Sequence, residues 1–554
     1  MNLTARLLQA LACRGATEIF GLPGDFALPL FGEIERSRIL PLHTLSHEPG
    51  VGFAADAASR IRGGLGVAAV TYGAGAFNLV NAVAGAWAER VPLVVLSGAP
   101  AAHEAASGYQ LHHQVKTLDS QWRVFEELTV DRARLDDARQ APARIARVLD
   151  AALHASRPVY LEIPRDMPRR ACAAVPEPAL EAAPDPLALA ACADELLQRL
   201  HAARRPLLMV GVEVRRYALE ARVAELARRL AIPVVTTFMG RGLLTGHDIP
   251  LRGTYLGLAG SAQLADEVEQ SDALLLLGAI VSDTNFAVSS QRIDMRHAIQ
   301  ALGGQVVMGH HVYPEVPLKW LVDALLERVP ARRVKVGAVA ALPAARERGK
   351  PGADTLPPGR DGDAIVPADI AQAVNRLIAR HGEMPIACDV GDCLFTAMDI
   401  EPTALLAPGY YATMGYAVPG GLGIQAASGR RPLVLVGDGA FQMTGWELGN
   451  AHRHGWDPIV LVFNNASWEM LRAFQPTARF NDLDTWDYAS MAASMGGDGH
   501  LVRNRGELER ALALAHATRG RFQLLDIRLA RGARSPTLTR FVEAVRRLSM
   551  NEAG

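Results

Sequence analysis

The stretch Leu433–Asn450, LVLVGDGAFQMTGWELGN, decides the fold. An apolar run of strand length enters Gly437-Asp438-Gly439, an acid between two glycines. A tight turn needs one glycine, so two around a carboxylate indicate that something comes close to the main chain. The run is continuous rather than alternating, which marks a strand buried on both faces. A helix is expected from about Gln442, with its free N–H groups and positive dipole end turned toward that carboxylate.

Runs of the same kind recur along the 554 residues. They are GVAAVTYG, PLVVLSGAP and PVYLEIP, then PLLMVGV, IPVVTTF and ALLLLGA, then MPIACDVG, PLVLVGDG, PIVLVFNN and FQLLDIRL. Helical patterns such as ADIAQAVNRLIARHG lie between them and imply right-handed crossovers. Two stretches rich in Pro, Gly, Ala and charge, Ala173–Pro186 and Gly349–Pro367, interrupt the pattern. The expected fold is three doubly wound α/β domains with mainly parallel sheets. Their bounds are 1–172 for the first domain, 187–330 for the middle one, 331–367 for a linker and 368–554 for the third. Ligands should sit outside the carboxyl ends of the strands.

Composition narrows the function. Apolar residues make up 49% of the chain, enough for large cores, and the formal net charge of −1 gives no basic footprint for nucleic acid. No apolar run reaches membrane-spanning length. The start, MNLTARLLQALACRGA, has helical spacing with arginines inside it and lacks the features of a signal peptide. Cys13, Cys172, Cys192, Cys388 and Cys393 show no metal spacing, and reduced thiols in a cytoplasmic protein are expected.

The strand after the Asp438 turn, PIVLVFNNASWEML, ends in Asn464-Asn465. In a parallel sheet, Asp438 and Asn465 fall at the same end of two strands. A carboxylate and an amide oxygen are ligands for a hard cation such as Mg²⁺, with phosphate oxygens completing its shell. Alone, either motif fits a helix cap or a turn; together, each directly after a buried strand, they point to a metal-bound diphosphate.

This pair resembles the magnesium–diphosphate motif of thiamine-diphosphate enzymes. The resemblance implies Asp438 and Asn465 as side-chain ligands of Mg²⁺ and the main-chain carbonyl of Ser467 as the third. Gly437, Gly439 and Ala440 would then lie along the diphosphate. The family also needs a carboxylate near the aminopyrimidine ring, to promote formation of the reactive ylid. Glu48, in LHTLSHEPGVGFAADAASR, matches it and is followed by a helix of small residues. Resemblance further places Thr71, Asp392, Ala412, Met414 and Met470 at the cofactor. The glycine-rich TYGAGAFN (Thr71–Asn78) lies near it, the Ala412 carbonyl meets the exocyclic amine, and Met414 props the cofactor into its bent shape.

Within that superfamily the chain is similar to the pyruvate/indolepyruvate decarboxylase branch. Asp25 in GLPGDFALP, His112 and His113 in GYQLHHQ, and Asp283 in GAIVSDTNF match its catalytic polar residues. The histidine pair, generally lacking in the oxidase and acetolactate-synthase branches, suits proton transfer near neutral pH and argues for simple decarboxylation. One position departs. Pyruvate decarboxylases carry a glutamate six residues after the second Asn of the metal motif; here Leu471 stands there. Glu469 lies roughly 200° away around a helix, which makes it a poor substitute. Trp468, Met470 and Leu471 would give a more apolar substrate pocket, as in bacterial phenylpyruvate/indolepyruvate decarboxylases.

The implied activity is decarboxylation of phenylpyruvate or indole-3-pyruvate to the aldehyde and CO₂ through the thiamine diphosphate ylid. The implied assembly is a homotetramer with active sites between subunits, acting on a small molecule, with no nucleic acid and no membrane. Two rivals remain at this level: a flavin-dependent oxidase or acetolactate-type carboligase on the same scaffold, and a cofactor-binding protein without catalysis.

Overall fold

The computed structural model describes residues 1–283, 289, 293–331, 362 and 364–552. All ten apolar runs named above form strands. They build three sheets, one in each third of the chain.

The first sheet has six parallel strands in the spatial order Leu42–Thr44, Ile19–Gly21, Gly66–Val70, Leu93–Ala99, Val159–Pro164, Asp131–Arg134. The third sheet repeats that topology strand for strand: Leu405–Leu406, Ile386–Cys388, Leu433–Gly437, Ile459–Asn464, Gln523–Arg528, Asp498–Val502. Numbered by chain order within each sheet, both read 2-1-3-4-6-5. The middle sheet has seven strands. Its parallel part ends in an antiparallel hairpin, Ala298–Leu302 with Gln305–Met308, turned by Gly303 and Gly304 at φ +64° and +80°. Two positive φ values in a two-residue turn match the twist of the strands, and glycine adopts them without strain.

The first and third domains share one core. The helix Glu48–Arg62 packs along the helix Ala417–Ser428 so closely that a Cβ on Gly423 would lie 2.2 Å from the Ala54 carbonyl oxygen. Val51, Leu79 and Val83 from one side meet Tyr416, Leu422 and Phe441 from the other, all buried. Each large apolar side chain buried there contributes about 1.5–3 kcal/mol. The middle domain has its own core around Leu208, Leu275, Leu321 and Leu325. Residues 173–185, inside the first expected linker, carry no helix or strand; Asp185 caps the next helix by accepting from the N–H groups of Leu187 and Ala188. The second expected linker, 331–367, lies mostly outside the described residues. Among the described residues, no helix is long and apolar enough to cross a membrane.

Candidate active site

Two clusters form at the carboxyl ends of the outer sheets. In the third sheet, Leu433–Gly437 and Ile459–Asn464 are parallel neighbours, with Gly437 opposite Phe463. Asp438 and Asn465 therefore leave the sheet side by side. The helix after the turn is Asp438–Thr444, starting four residues earlier than expected. Gly437 has extended dihedrals and serves as the N-cap, so Asp438 is itself in the first helical turn.

Asp438 is buried. Its carboxylate accepts from the Gly439 N–H at 2.9 Å and the Ala466 N–H at 2.6 Å. Burial pushes its pKa up to about 6 despite those donors, which marks a charge short of compensation. Asn465 Oδ1 is buried and has no hydrogen-bond partner. An unpaired amide oxygen is costly to bury unless a ligand completes it. The two groups thus fit a hard cation, and Ser467, also buried, follows on the same turn.

The two glycines have different neighbours. A Cβ on Gly437 would meet nothing within 4 Å, so space is open for a ligand. A Cβ on Gly439 would lie 2.1 Å from the Trp468 ring. The Gly439 Cα thus faces an indole, a different neighbour from the expected diphosphate, and Trp468 packs on the glycine turn. Met470 packs with Phe395, Leu538 and Phe541, partly under the C-terminal helix. Leu471 points outward, 54% exposed in the single chain. Glu469 is buried and accepts from the Gly532 N–H (3.1 Å) and Arg534 Nε (3.2 Å), turned toward the C-terminal segment. Asp392 accepts from the Ser535 N–H at 2.9 Å, and burial raises its pKa to about 6. Ala440 is buried in the Asp438 helix.

The loop that carries Ala412 and Met414 is held from three sides. The Thr444 hydroxyl donates to the Gly415 carbonyl at 2.7 Å. Buried Asp389 accepts from the N–H groups of Gly415 and Ala417. From the first domain, Glu89 accepts from the N–H groups of Tyr410 and Tyr411 at 2.8 Å each, and Asn81 donates to Thr413 Oγ1 at 2.9 Å. Ala412 sits at φ +58° in this grip.

The other cluster lies on the first sheet. Glu48 opens its helix with Pro49 behind it, and its carboxylate accepts from Asn78 Nδ2 at 2.7 Å. A Cβ on Gly75 would sit 3.2 Å from Glu48 Oε1. Two residues earlier, Gly73 is at φ +65°, and a Cβ there would collide with the His113 carbonyl at 2.2 Å. The glycine-rich turn therefore brings the histidine loop and Glu48 to one end of the sheet. His112 Nε2 donates to Asp25, and His113 Nδ1 donates to the Tyr72 carbonyl at 3.0 Å. Burial disfavours the Asp25 carboxylate, but the His112 hydrogen bond and the Phe26 N–H outweigh it and lower its pKa. Thr71 Oγ1 is buried without a partner, against Gly24. Asp283, in the middle domain, is exposed beside residues 284–288, which lie outside the described residues.

Three family models match the chain: the N-terminal TPP binding domain of thiamine pyrophosphate enzymes over residues 1–121, their central domain over 193–329, and their C-terminal TPP binding domain over 389–527. The indole-3-pyruvate decarboxylase of Azospirillum brasilense is 59% identical over 554 residues, 99% of each chain. The chain belongs to the thiamine-diphosphate-dependent 2-keto acid decarboxylase family. It is also similar to the alpha-keto-acid decarboxylase of Mycobacterium ulcerans, at 29% identity over 99% of this chain and 96% of that one. The alpha-keto-acid decarboxylase of Mycobacterium tuberculosis H37Rv is 27% identical over 95% of this chain and 94% of its own.

In this member of the thiamine-diphosphate decarboxylases, three structural acids went unread in the sequence. Asp389 follows a buried strand in MPIACDVG, as Asp438 follows one in PLVLVGDG, and that parallel was the available signal. Glu89 left none, because its partners are main-chain N–H groups of a distant loop. Glu447, nine residues past Asp438, is wholly buried and accepts from the Ser46 N–H at 2.9 Å and Asn450 Nδ2 at 2.7 Å. It grips the residues just before Glu48 from the opposite domain.

Proposed function

We propose that this chain decarboxylates aromatic 2-keto acids, phenylpyruvate or indole-3-pyruvate, to the aldehyde and CO₂. One observation carries the proposal: a chain that bears Glu48, the His112–His113 pair and the Asp438–Asn465 pair is 59% identical, end to end, to an indole-3-pyruvate decarboxylase. Thiamine diphosphate, when bound, supplies the electron sink that accepts the pair left by departing CO₂. The Asp438 carboxylate, Asn465 Oδ1 and the Ser467 carbonyl would hold its Mg²⁺, and the open side of Gly437 would admit the diphosphate. The orphaned Asn465 Oδ1 supports that assignment.

The chain's own groups do the rest. Glu48, fixed by Asn78, holds a proton at the aminopyrimidine nitrogen. His113 commits Nδ1 to a main-chain carbonyl, which leaves Nε2 to exchange a proton. Asp25 orients His112. Leu471 presents an apolar surface for the ring of the substrate. The Glu48 cluster and the Asp438 cluster sit on separate sheets, and the third domain exposes Tyr410, Tyr411, Met443, Trp446 and Leu471. Apolar groups so exposed fit a subunit interface, and we assign a homotetramer with the cofactor between the first domain of one subunit and the third of another. Five unpaired cysteines support a cytoplasmic location.

A panel of 2-keto acids, assayed for aldehyde with and without thiamine diphosphate and Mg²⁺, tests the function. Aromatic substrates should give cofactor-dependent aldehyde. A protein that turns over pyruvate alone, or none of the panel, is not this enzyme.

A further inference from the structure

Asp25, His112 and His113 come from two segments of the first domain, and each offers one donor atom within 4.8 Å of the other two. Among the described residues, no other group of three or more His, Cys, Asp or Glu side chains is so placed. Two imidazoles and one carboxylate are the donor set of open zinc sites, in which three protein ligands leave a further position free. His113 Nδ1 donates to the Tyr72 carbonyl at 3.0 Å, so Nε2 keeps its lone pair. Metal-bound histidines are fixed in the same way, by an acceptor on the other ring nitrogen. His113 also holds φ +66°, a left-handed backbone rare outside glycine, and its carbonyl sits where Gly73 has no side chain. Phe26 steadies both rings. It stacks on His112 with centroids 4.7 Å apart and meets His113 edge-on at 6.0 Å. The Arg165 guanidinium lies 5.0 Å from the centre of Phe26, but its charge is paired with Glu104. The His112 side chain is 61% exposed and that of Asp25 39%, so an ion can reach the donors from solvent.

We propose that Asp25, His112 and His113 bind a divalent transition cation of the zinc class, and that the bound ion arrests the reaction. Donors about 2.0–2.2 Å from such an ion lie roughly 3–3.5 Å apart, so the widest separation has to close by about 1–2 Å at most. Rotation of the exposed His112 ring supplies that movement. Mg²⁺ is a poor rival at this site because it prefers oxygen donors, and the Asp438 and Asn465 oxygens suit it instead. The ion takes the His113 Nε2 lone pair and displaces the proton that His112 Nε2 shares with Asp25. Arrest rests on the function proposed above, in which these groups hold and move protons; binding of the ion does not.

Calorimetric titration of the thiamine diphosphate-loaded chain with Zn²⁺, in excess Mg²⁺ to keep the diphosphate site filled, tests the site directly. The wild type should bind Zn²⁺. His113→Gln and His112→Gln should each weaken that binding at least about tenfold, since losing even an outer partner of a metal ligand commonly costs as much. Asn465→Ala, which alters the Mg²⁺ site, should leave it in place. In the wild type, Zn²⁺ should lower the rate on phenylpyruvate over the concentrations at which it binds, and a chelator selective for Zn²⁺ over Mg²⁺ should restore it. No Zn²⁺ binding, binding unchanged in both histidine variants, or binding lost in Asn465→Ala overturns the site. An ion held through the histidines that leaves the rate unaltered overturns the arrest. Should His113→Gln fail to fold, His112→Gln decides, because that side chain lies largely in solvent. A chain that turns over no keto acid defeats the proposed function, and calorimetry still decides the ion site.

Discussion

Asn465 Oδ1 and the Asp438 carboxylate are the sharpest test of the cofactor site at the scale of single residues. Asp438→Ala and Asn465→Ala should each remove the Mg²⁺-dependent part of thiamine diphosphate binding, measured by calorimetry. Undiminished affinity in both would cancel the metal assignment. Glu48→Gln should keep the cofactor, since an amide still hydrogen-bonds. Proton exchange at the thiazolium carbon, followed by NMR, should nonetheless slow by roughly 10²–10⁴. An exchange rate like the wild type's would contradict Glu48's role. Leu471 concerns specificity. Burying a phenyl-sized group contributes about 1.5–3 kcal/mol, which as transition-state binding favours phenylpyruvate over pyruvate about 10- to 150-fold in kcat/KM. Leu471→Glu should erode that ratio, because in the apolar wall proposed for Leu471 a carboxylate stays hydrated or takes up a proton. If Glu469→Ala collapses turnover while Leu471→Ala leaves the ranking untouched, the assignment of Leu471 fails; buried Glu469, held by Gly532 and Arg534, makes that outcome unexpected.

The helix that begins at Glu48 depends on a group outside it. Its cap residue His47 makes no side-chain cap, and Glu447 reaches across from the third domain to the N–H groups just before the helix. Burial raises the Glu447 pKa to about 7, against an ordinary glutamate value of 4.5. Between those values the folded protein keeps a proton that the unfolded chain releases. Stability contributed by this group therefore falls as pH rises from about 4.5 to about 7, and is flat above. Glu447→Gln removes the titration, so the variant's thermal midpoint should gain on the wild type's across that window in the cofactor-free protein. A difference that stays constant from pH 5 to pH 7.5 would contradict the buried, protonated state. This element also shows where sequence reading stopped. Strand ends and small-residue helices are written locally, as apolar runs and glycines. Glu447 looks like any polar residue on a short helix, because its partner lies about 400 positions away. The helix after the glycine turn was placed at Gln442 because Asp438 and Gly439 read as turn residues; with Gly437 as the cap, both fit the first helical turn.

At the scale of the molecule, the repeated 2-1-3-4-6-5 topology puts two clusters at equivalent ends of two equivalent sheets. Three domains with mainly parallel sheets were legible, since continuous apolar runs between helical patterns admit few other arrangements. The antiparallel edge of the middle sheet was not read, although Leu302-Gly303-Gly304-Gln305 carries a two-glycine hairpin signal. The seating of Trp468 on Gly439 could not be read, because it joins positions 29 apart whose contact depends on the packed third sheet. The central claim is that these parts together release CO₂ and an aldehyde without an oxidant. The direct measurement is the product balance on phenylpyruvate in oxygen-free buffer with thiamine diphosphate and Mg²⁺. Equimolar phenylacetaldehyde and CO₂, lost on removal of the cofactor, is the predicted result; a requirement for oxygen, accumulation of a carboligation product in place of aldehyde, or no turnover would contradict it.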